Sequence, residues 1–145
     1  ELLQHGFMRL AIQAFLHEPA DVRMELIIQR YNDLSTFIYT EATPKWLNSL
    51  TPNPQMASCC LHKMDDNTES INKVVGDIGQ YSRYGGGNAL DVSSLRMRSS
   101  TIGARGKSSG PTPTIQHVEG AITLFNQLGA RPGACVVTFQ WWHAD

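Results

Sequence analysis

The 145-residue chain lacks the residue spacings that build metal sites and disulfide frameworks. It has three cysteines, an odd number, and no Cys-x-x-Cys pair; its five histidines form no His-x-x-x-His pair. Zinc-site spacings are therefore missing. A secreted disulfide scaffold, normally even-numbered and denser in cysteine, is a poor fit. No apolar run approaches the ~20 residues of a membrane-spanning helix. The first residues lack the basic start and apolar stretch of a signal peptide. Neither sign of charge is in excess: 12 basic and 13 acidic residues give a net charge of -1. That balance favours neither nucleic acid nor a membrane surface as partner. A soluble cytoplasmic protein with no metal of its own is the expectation. The opening on Glu1 and the closing strand-like run suggest a piece of a larger protein.

What is present is ordinary globular composition, 41% hydrophobic and 17% charged, at a length that suits one domain. Leu3, Phe7, Leu10, Ala11 and Ala14 recur at helical spacing and predict a helix over 2–16. Glu18-Pro19 ends it, because the residue before proline avoids the helical region. A second helix is predicted over 20–39, with Met24, Ile27, Ile28, Tyr31, Leu34 and Phe37 on one face. An irregular stretch follows from Thr43-Pro44 to Pro54. Met56 to Leu61 reads as a short buried strand. Asp65-Asp66-Asn67 reads as a capped helix start, and Gly85-Gly86-Gly87 as that helix's end near Arg83. Asn88 to Val92 is a second strand. Residues 93–110 carry Arg96, Arg98, Arg105 and Lys107 among Ser and Gly, which reads as a loop. A helix over 115–128, a turn at 129–133 and a final buried strand from Ala134 complete an α/β pattern with crossover helices.

Individually, the motifs favour plain readings. Gly106-Lys107-Ser108 ends like a phosphate-binding P-loop, but the required earlier glycine is Thr101, and Pro111 and Pro113 interrupt the helix that must follow. The three glycines at 85–87 suit a helix cap, or a backbone that approaches a ligand closely. Cys59 and Cys60 are neighbours on a strand, so their thiols face opposite ways and at most one faces a cleft. The basic loop is either a solvated surface or an anion site, where arginine forks suit phosphate oxygens.

Their order along the chain is more specific. Gln4-His5-Gly6-Phe7-Met8-Arg9, Thr43-Pro44, Met56-Ala57-Ser58-Cys59, Asp65-Asp66, Gly86-Gly87, Leu95-Arg96, Gln127 to Ala134 and Trp142-His143-Ala144-Asp145 stand in register over nearly the whole chain. This series resembles the large subunit of aerobic, class I ribonucleotide reductases. The resemblance implies the first part of that family's ten-stranded α/β barrel, with leading helices over 1–40 and the first barrel strands over 41–145.

The resemblance also implies roles. Thr43 and Ser58 would hold the phosphates of a ribonucleoside diphosphate, and Gly86 and Gly87 would admit its ribose. Arg131, in the second specificity loop at 125–133, would meet the base. Cys59 would be the first of two redox cysteines, while Cys60 would be packing. Asp66 would bind the ribose of an allosteric deoxynucleoside triphosphate or ATP. Arg96, helped by Arg83, would meet its phosphates, with Ile102 and Gly103 in the first specificity loop. The implied partners are the rest of the large subunit, a second copy in a homodimer, a small subunit whose metal supplies the radical, and thioredoxin or glutaredoxin. No cofactor is implied in the chain itself.

The sequence departs from the family's pattern at Leu128, at Asn88-Ala89 in place of Ile-Gly, and at Gln140-Trp141-Trp142 in place of Pro-x-Trp. The family's radical cysteine, its assisting Asn and Glu, and its second redox cysteine lie beyond the Trp-His-Ala-Asp segment, and Cys135 matches none of them. An adenosylcobalamin-dependent relative and a non-catalytic nucleotide-binding or scaffold derivative are the alternatives.

Overall fold

The computed structural model describes residues 2–104, 106–126 and 131–145. They fall into two compact units, Glu1–Ser58 and Cys59–Asp145.

The first unit is helical: α1 (Leu3–Ala14), α2 (Ala20–Ser35) and the short α3 (Thr43–Asn48). Phe7, Leu10 and Leu34 form its core, with Tyr31 and Trp46 packed against them. Gly6 is required there, because a Cβ would stand 2.6 Å from the Trp46 ring. The expected second helix stops four residues early. Phe37 takes a left-handed φ of 58°. Phe37 N–H then donates to Leu34 O (3.1 Å) and Ile38 N–H to Asp33 O (3.0 Å). This is the Schellman closure, which satisfies the last helical carbonyls. Phe37 thereby leaves the helix face and is 69% exposed, and Met24 and Ile28 are exposed as well. The stretch after Thr43 contains α3, which the reading by periodicity did not anticipate. Glu41 is bonded by Arg30 of α2 and by Lys45 at 2.7 Å, so a largely buried carboxylate fixes the start of α3.

The second unit is α/β. Its strands β1 (Cys59–Lys63), β2 (Gly87–Asp91) and β5 (Ala134–Thr138) form a parallel sheet in the order β1-β2-β5. Helices α4 (Thr68–Arg83) and α5 (Thr112–Phe125) provide the crossovers. Both pack on the sheet and on each other, burying Met64, Val74, Val75, Ile78, Leu90, Val92, Leu95, Val118 and Ala121. At Gly79 the helices meet so closely that a Cβ would stand 2.6 Å from the Phe125 ring.

Both ends of α4 follow the sequence. Asn67 is the N-cap, its Oδ1 accepting Ser70 N–H at 2.8 Å, while Ser70 Oγ accepts Asp65 N–H at 3.0 Å. At the other end Gly85, with φ +76°, and Gly86 close a second Schellman motif: Gly85 N–H donates to Ser82 O and Gly86 N–H to Tyr81 O.

The register sorts side chains into rows. Cys60, Asn88 and Cys135 share a row, as do His62, Leu90 and Val137, and these rows face the helices. Cys59, Gly87 and Ala134, then Leu61, Ala89 and Val136, line the opposite face. That face is open: Leu61 is 84% exposed and Val136 64%. The expectation of fully buried strands therefore holds for one face only. Parallel strands with apolar residues on both faces are built for cover on both sides, and α4 and α5 supply only one layer.

The final strand is also shorter than its apolar run. It ends at Thr138, and Trp141 beyond it is 89% exposed. The basic loop contains an unexpected hairpin, β3 (Thr101–Ile102) with β4 (Gly106–Lys107). Lys107 sits on a strand of that hairpin, which rules out the P-loop geometry.

Candidate functional site

Parallel strands place every β-to-α connection at one edge of the sheet and every return at the other. Residues 64–67, 92–104, 106–111 and 139–145 therefore gather at the C-terminal edge. Residues 85–86 and 131–133 gather at the N-terminal edge. Five residues per strand separate the edges by about 16 Å at ~3.3 Å per residue.

The C-terminal edge holds a cavity of about 210 Å³ lined by residues that include Asp66, Asn67, Ile71, Arg96, Ile102 and Thr114. Three of the five residues assigned to effector binding thus meet in one place. Arg96 Nε donates to Asp66 Oδ2 at 2.5 Å, and its Nη2 lies 3.4 Å from Asp66 O. Each partner is about one-third exposed, 37% for Arg96 and 32% for Asp66. An ion pair that open contributes little to stability; its effect is to hold the guanidinium over the cavity. Gly103 follows Ile102 in the hairpin with a left-handed φ of 54°, which glycine adopts without strain.

Arg83 is not part of this cavity. It ends α4, whose 16 residues span roughly 24 Å at ~1.5 Å per residue. Its guanidinium lies 5.5 Å from the Tyr84 ring. Within this chain the helix puts Arg83 and Arg96 at opposite edges of the sheet, so the two do not meet at this cavity.

The N-terminal edge of the sheet carries Gly86, Gly87 and Arg131 of the residues assigned to substrate, with Cys59 beside them. Cys59 is exposed on the open face and Cys60 is half-buried on the helix face, so the adjacent thiols do point apart. Burial, reinforced by the neighbouring Cys59, pushes the Cys60 thiol up from its ordinary value. Burial does the same to Cys135. Both are thus poorer thiolates than an unburied cysteine. Gly87 stands in register with Cys59, and Gly86 is buried beside it. Arg131 Nη1 is buried without a hydrogen-bond partner among the described residues, and Gly85 lies against Arg131 Cβ. Thr43 begins α3 in the first unit, and Ser58 closes that unit. Of residues 125–133, which the resemblance assigns to a second specificity loop, 127–130 lie outside the described residues. Among the described residues, no group of three or more His, Cys, Asp or Glu is placed to hold a metal ion. No helix there is long and apolar enough to cross a membrane.

Sequence reasoning missed the network that braces the C-terminal edge. Ser94 Oγ donates to Met64 O. Gln140 N–H donates to Ser93 Oγ at 2.9 Å. Asp91 accepts from Ser93 N–H at 3.0 Å and from its hydroxyl. The only available signal was the crowding of Asp and Ser just after a strand, a composition that also describes an ordinary loop.

Strands added in chain order, with both crossover helices on one face, define a barrel-type α/β unit; doubly wound sheets place helices on both faces. The comparisons give the family. The model of the ribonucleotide reductase barrel domain matches residues 57–145, and the chain belongs to that family. It is 36% identical to the ribonucleoside-diphosphate reductase subunit alpha of Chlamydia trachomatis, over all of this chain and 14% of that protein. It is 35% identical to the large subunit of African swine fever virus, over 98% of this chain and 18% of that protein. The subunit alpha of Helicobacter pylori is 34% identical, over all of this chain and 18% of its own length. The chain therefore spans 14 to 18% of the length of these relatives.

The brace at Asp91 generates a pH prediction. Hydrogen bonds from the Ser93 side chain and then its backbone, aided by the charge of Lys63, hold the Asp91 carboxyl below its ordinary value of 3.8, against a smaller opposing effect of burial. A lowered folded-state value adds stability that is present above 3.8 and lost as pH falls through the folded value. In urea unfolding, Asp91→Asn should be less stable than the parent at pH 6, and the gap should narrow below pH 4. A gap that is constant with pH would contradict this account of the brace.

Proposed function

We propose that this chain is part of a ribonucleoside-diphosphate reductase large subunit, and that its C-terminal-edge cavity binds the deoxynucleoside triphosphate or ATP that sets substrate choice. The observation that carries this reading is the convergence of Asp66, Arg96 and Ile102 on one cavity. In it Asp66 accepts from the ribose hydroxyl, and Arg96 meets the phosphates as a fork of donors. Ile102 and Gly103 supply an apolar wall and a turn beside it. The Asp66–Arg96 pair keeps the arginine aimed until an anion takes over its donors.

The complete subunit would replace the 2′-hydroxyl of a ribonucleoside diphosphate with hydrogen. Cys59, on the open face, would be one of two thiols that deliver the electrons and become a disulfide, which thioredoxin or glutaredoxin reduces. Gly86 and Gly87 leave space for the ribose because they carry no Cβ. Thr43 and Ser58 offer hydroxyl donors for the substrate phosphates, and Arg131 offers donors for the base. The open face needs cover, which the remaining barrel strands of the subunit would provide. The radical would come from a separate metal-bearing subunit, and the large subunit would work as a homodimer. Adenosylcobalamin would take the small subunit's place if the chain belongs with cobalamin-dependent relatives.

Two substitutions in the complete subunit test the reading. Arg96→Ala should weaken effector binding by about 2 kcal/mol, roughly 30-fold, as expected for a lost charge-assisted hydrogen bond; unchanged calorimetric affinity would sink the effector assignment. Cys59→Ser should abolish thioredoxin-driven turnover, and normal multiple turnover would remove its redox role.

A further inference from the structure

The effector reading leaves His143 and Asp145 without a task, yet both reach the segment that carries Arg96. We propose that His143 and Asp145 are positioning residues that clamp the backbone on either side of Arg96 and so orient its guanidinium over the cavity; this deepens the effector reading and rests on it.

The contacts bracket the arginine. His143 Nε2 lies 2.7 Å from Leu95 O, one residue before Arg96. Asp145 Oδ2 accepts Arg98 N–H at 2.8 Å, two residues after it. The clamp is also closed on itself, because Asp145 N–H donates to His143 Nδ1 at 3.2 Å. A carbonyl oxygen can only accept, so Nε2 must carry the proton while Nδ1 accepts. A neutral imidazole in one tautomer satisfies both bonds. The Phe139 ring meets the His143 ring edge-on at 5.5 Å and limits its rotation.

Gly110 shows how tightly the clamp is built. Its φ is +76°, and a Cβ there would stand 2.8 Å from Asp145 Oδ2 and 3.1 Å from Arg98 N. Gly110 also lines the cavity, so the clamp and the cavity share a wall. With the backbone held at 95 and 98, the Arg96 side chain leaves from a fixed point and needs only Asp66 to complete its aim. Donors fixed before binding lose less freedom when an anion arrives, which strengthens binding without a new contact.

The test uses the complete subunit as wild type, His143→Ala and His143→Gln, read by dATP calorimetry and by amide hydrogen exchange over residues 94–100. The glutamine amide can still donate to Leu95 O. His143→Ala should raise the dATP Kd about tenfold and speed exchange over 94–100, while His143→Gln should recover to within about threefold of wild type. Wild-type affinity in His143→Ala would overturn the proposal. So would equal losses in both variants accompanied by faster exchange throughout α4, the mark of general destabilisation. If the wild type itself binds no dATP, the effector reading fails, and exchange alone judges the clamp: acceleration confined to 94–100 in His143→Ala supports it, and none overturns it.

Discussion

The parallel register of β1, β2 and β5 is the constraint on which the second unit depends. It pairs Cys59 with Gly87 and Gly87 with Ala134. That pairing puts the connections of opposite sense at opposite edges of the sheet. Two kinds of residue that alternate along the sequence are thereby separated in space. Asp66 and Arg96 are 30 residues apart, yet they form an ion pair. Arg83 is nearer to Arg96 in sequence, yet it belongs to the other edge. A one-residue slip of any strand would exchange its faces, moving Cys59 under the helices and Cys60 to the open side.

The register also gives the sheet one finished face and one unfinished face. The helix face is closed by the packing of α4 and α5 and by a buried polar link. Asn88 meets His62 at 2.9 Å and donates to Ser82 Oγ at 3.1 Å. Asn88 thereby ties two strands and a helix together with hydrogen bonds. The open face carries Leu61 and Val136 in the same row as Ala89. Apolar side chains left exposed on a parallel sheet ask for another layer, in keeping with a family whose strands continue into a barrel.

Much of the second unit was legible in the sequence, because local chemistry and global fold agree there. Asn67 and Gly85 mark the ends of α4 through capping and a left-handed turn, and neither depends on distant residues. The opposite orientations of Cys59 and Cys60 follow from strand alternation alone. The first unit was less legible. Phe37 fits the helical period, yet it adopts a conformation that usually belongs to glycine, and no local signal announces this. The exposed strand face was read as buried because β-branched runs report what a strand is built to touch, not what covers it. The separation of Arg83 from Arg96 was not legible, because it depends on the length of α4 and on the parallel register, not on either residue's neighbours in sequence. The His143 clamp lay in a motif that was visible, but its partners are main-chain atoms at Leu95 and Arg98, which a sequence cannot indicate.

The central claim is that the C-terminal edge of this sheet is a nucleotide site distinct from the edge that carries Cys59. Photolabelling of the complete subunit with 8-azido-dATP, followed by peptide mapping, tests it most directly. The account predicts covalent label within the segments 66–71 and 95–114, suppressed by excess unmodified dATP. Label confined to peptides around Gly86, Gly87 and Arg131 would contradict it.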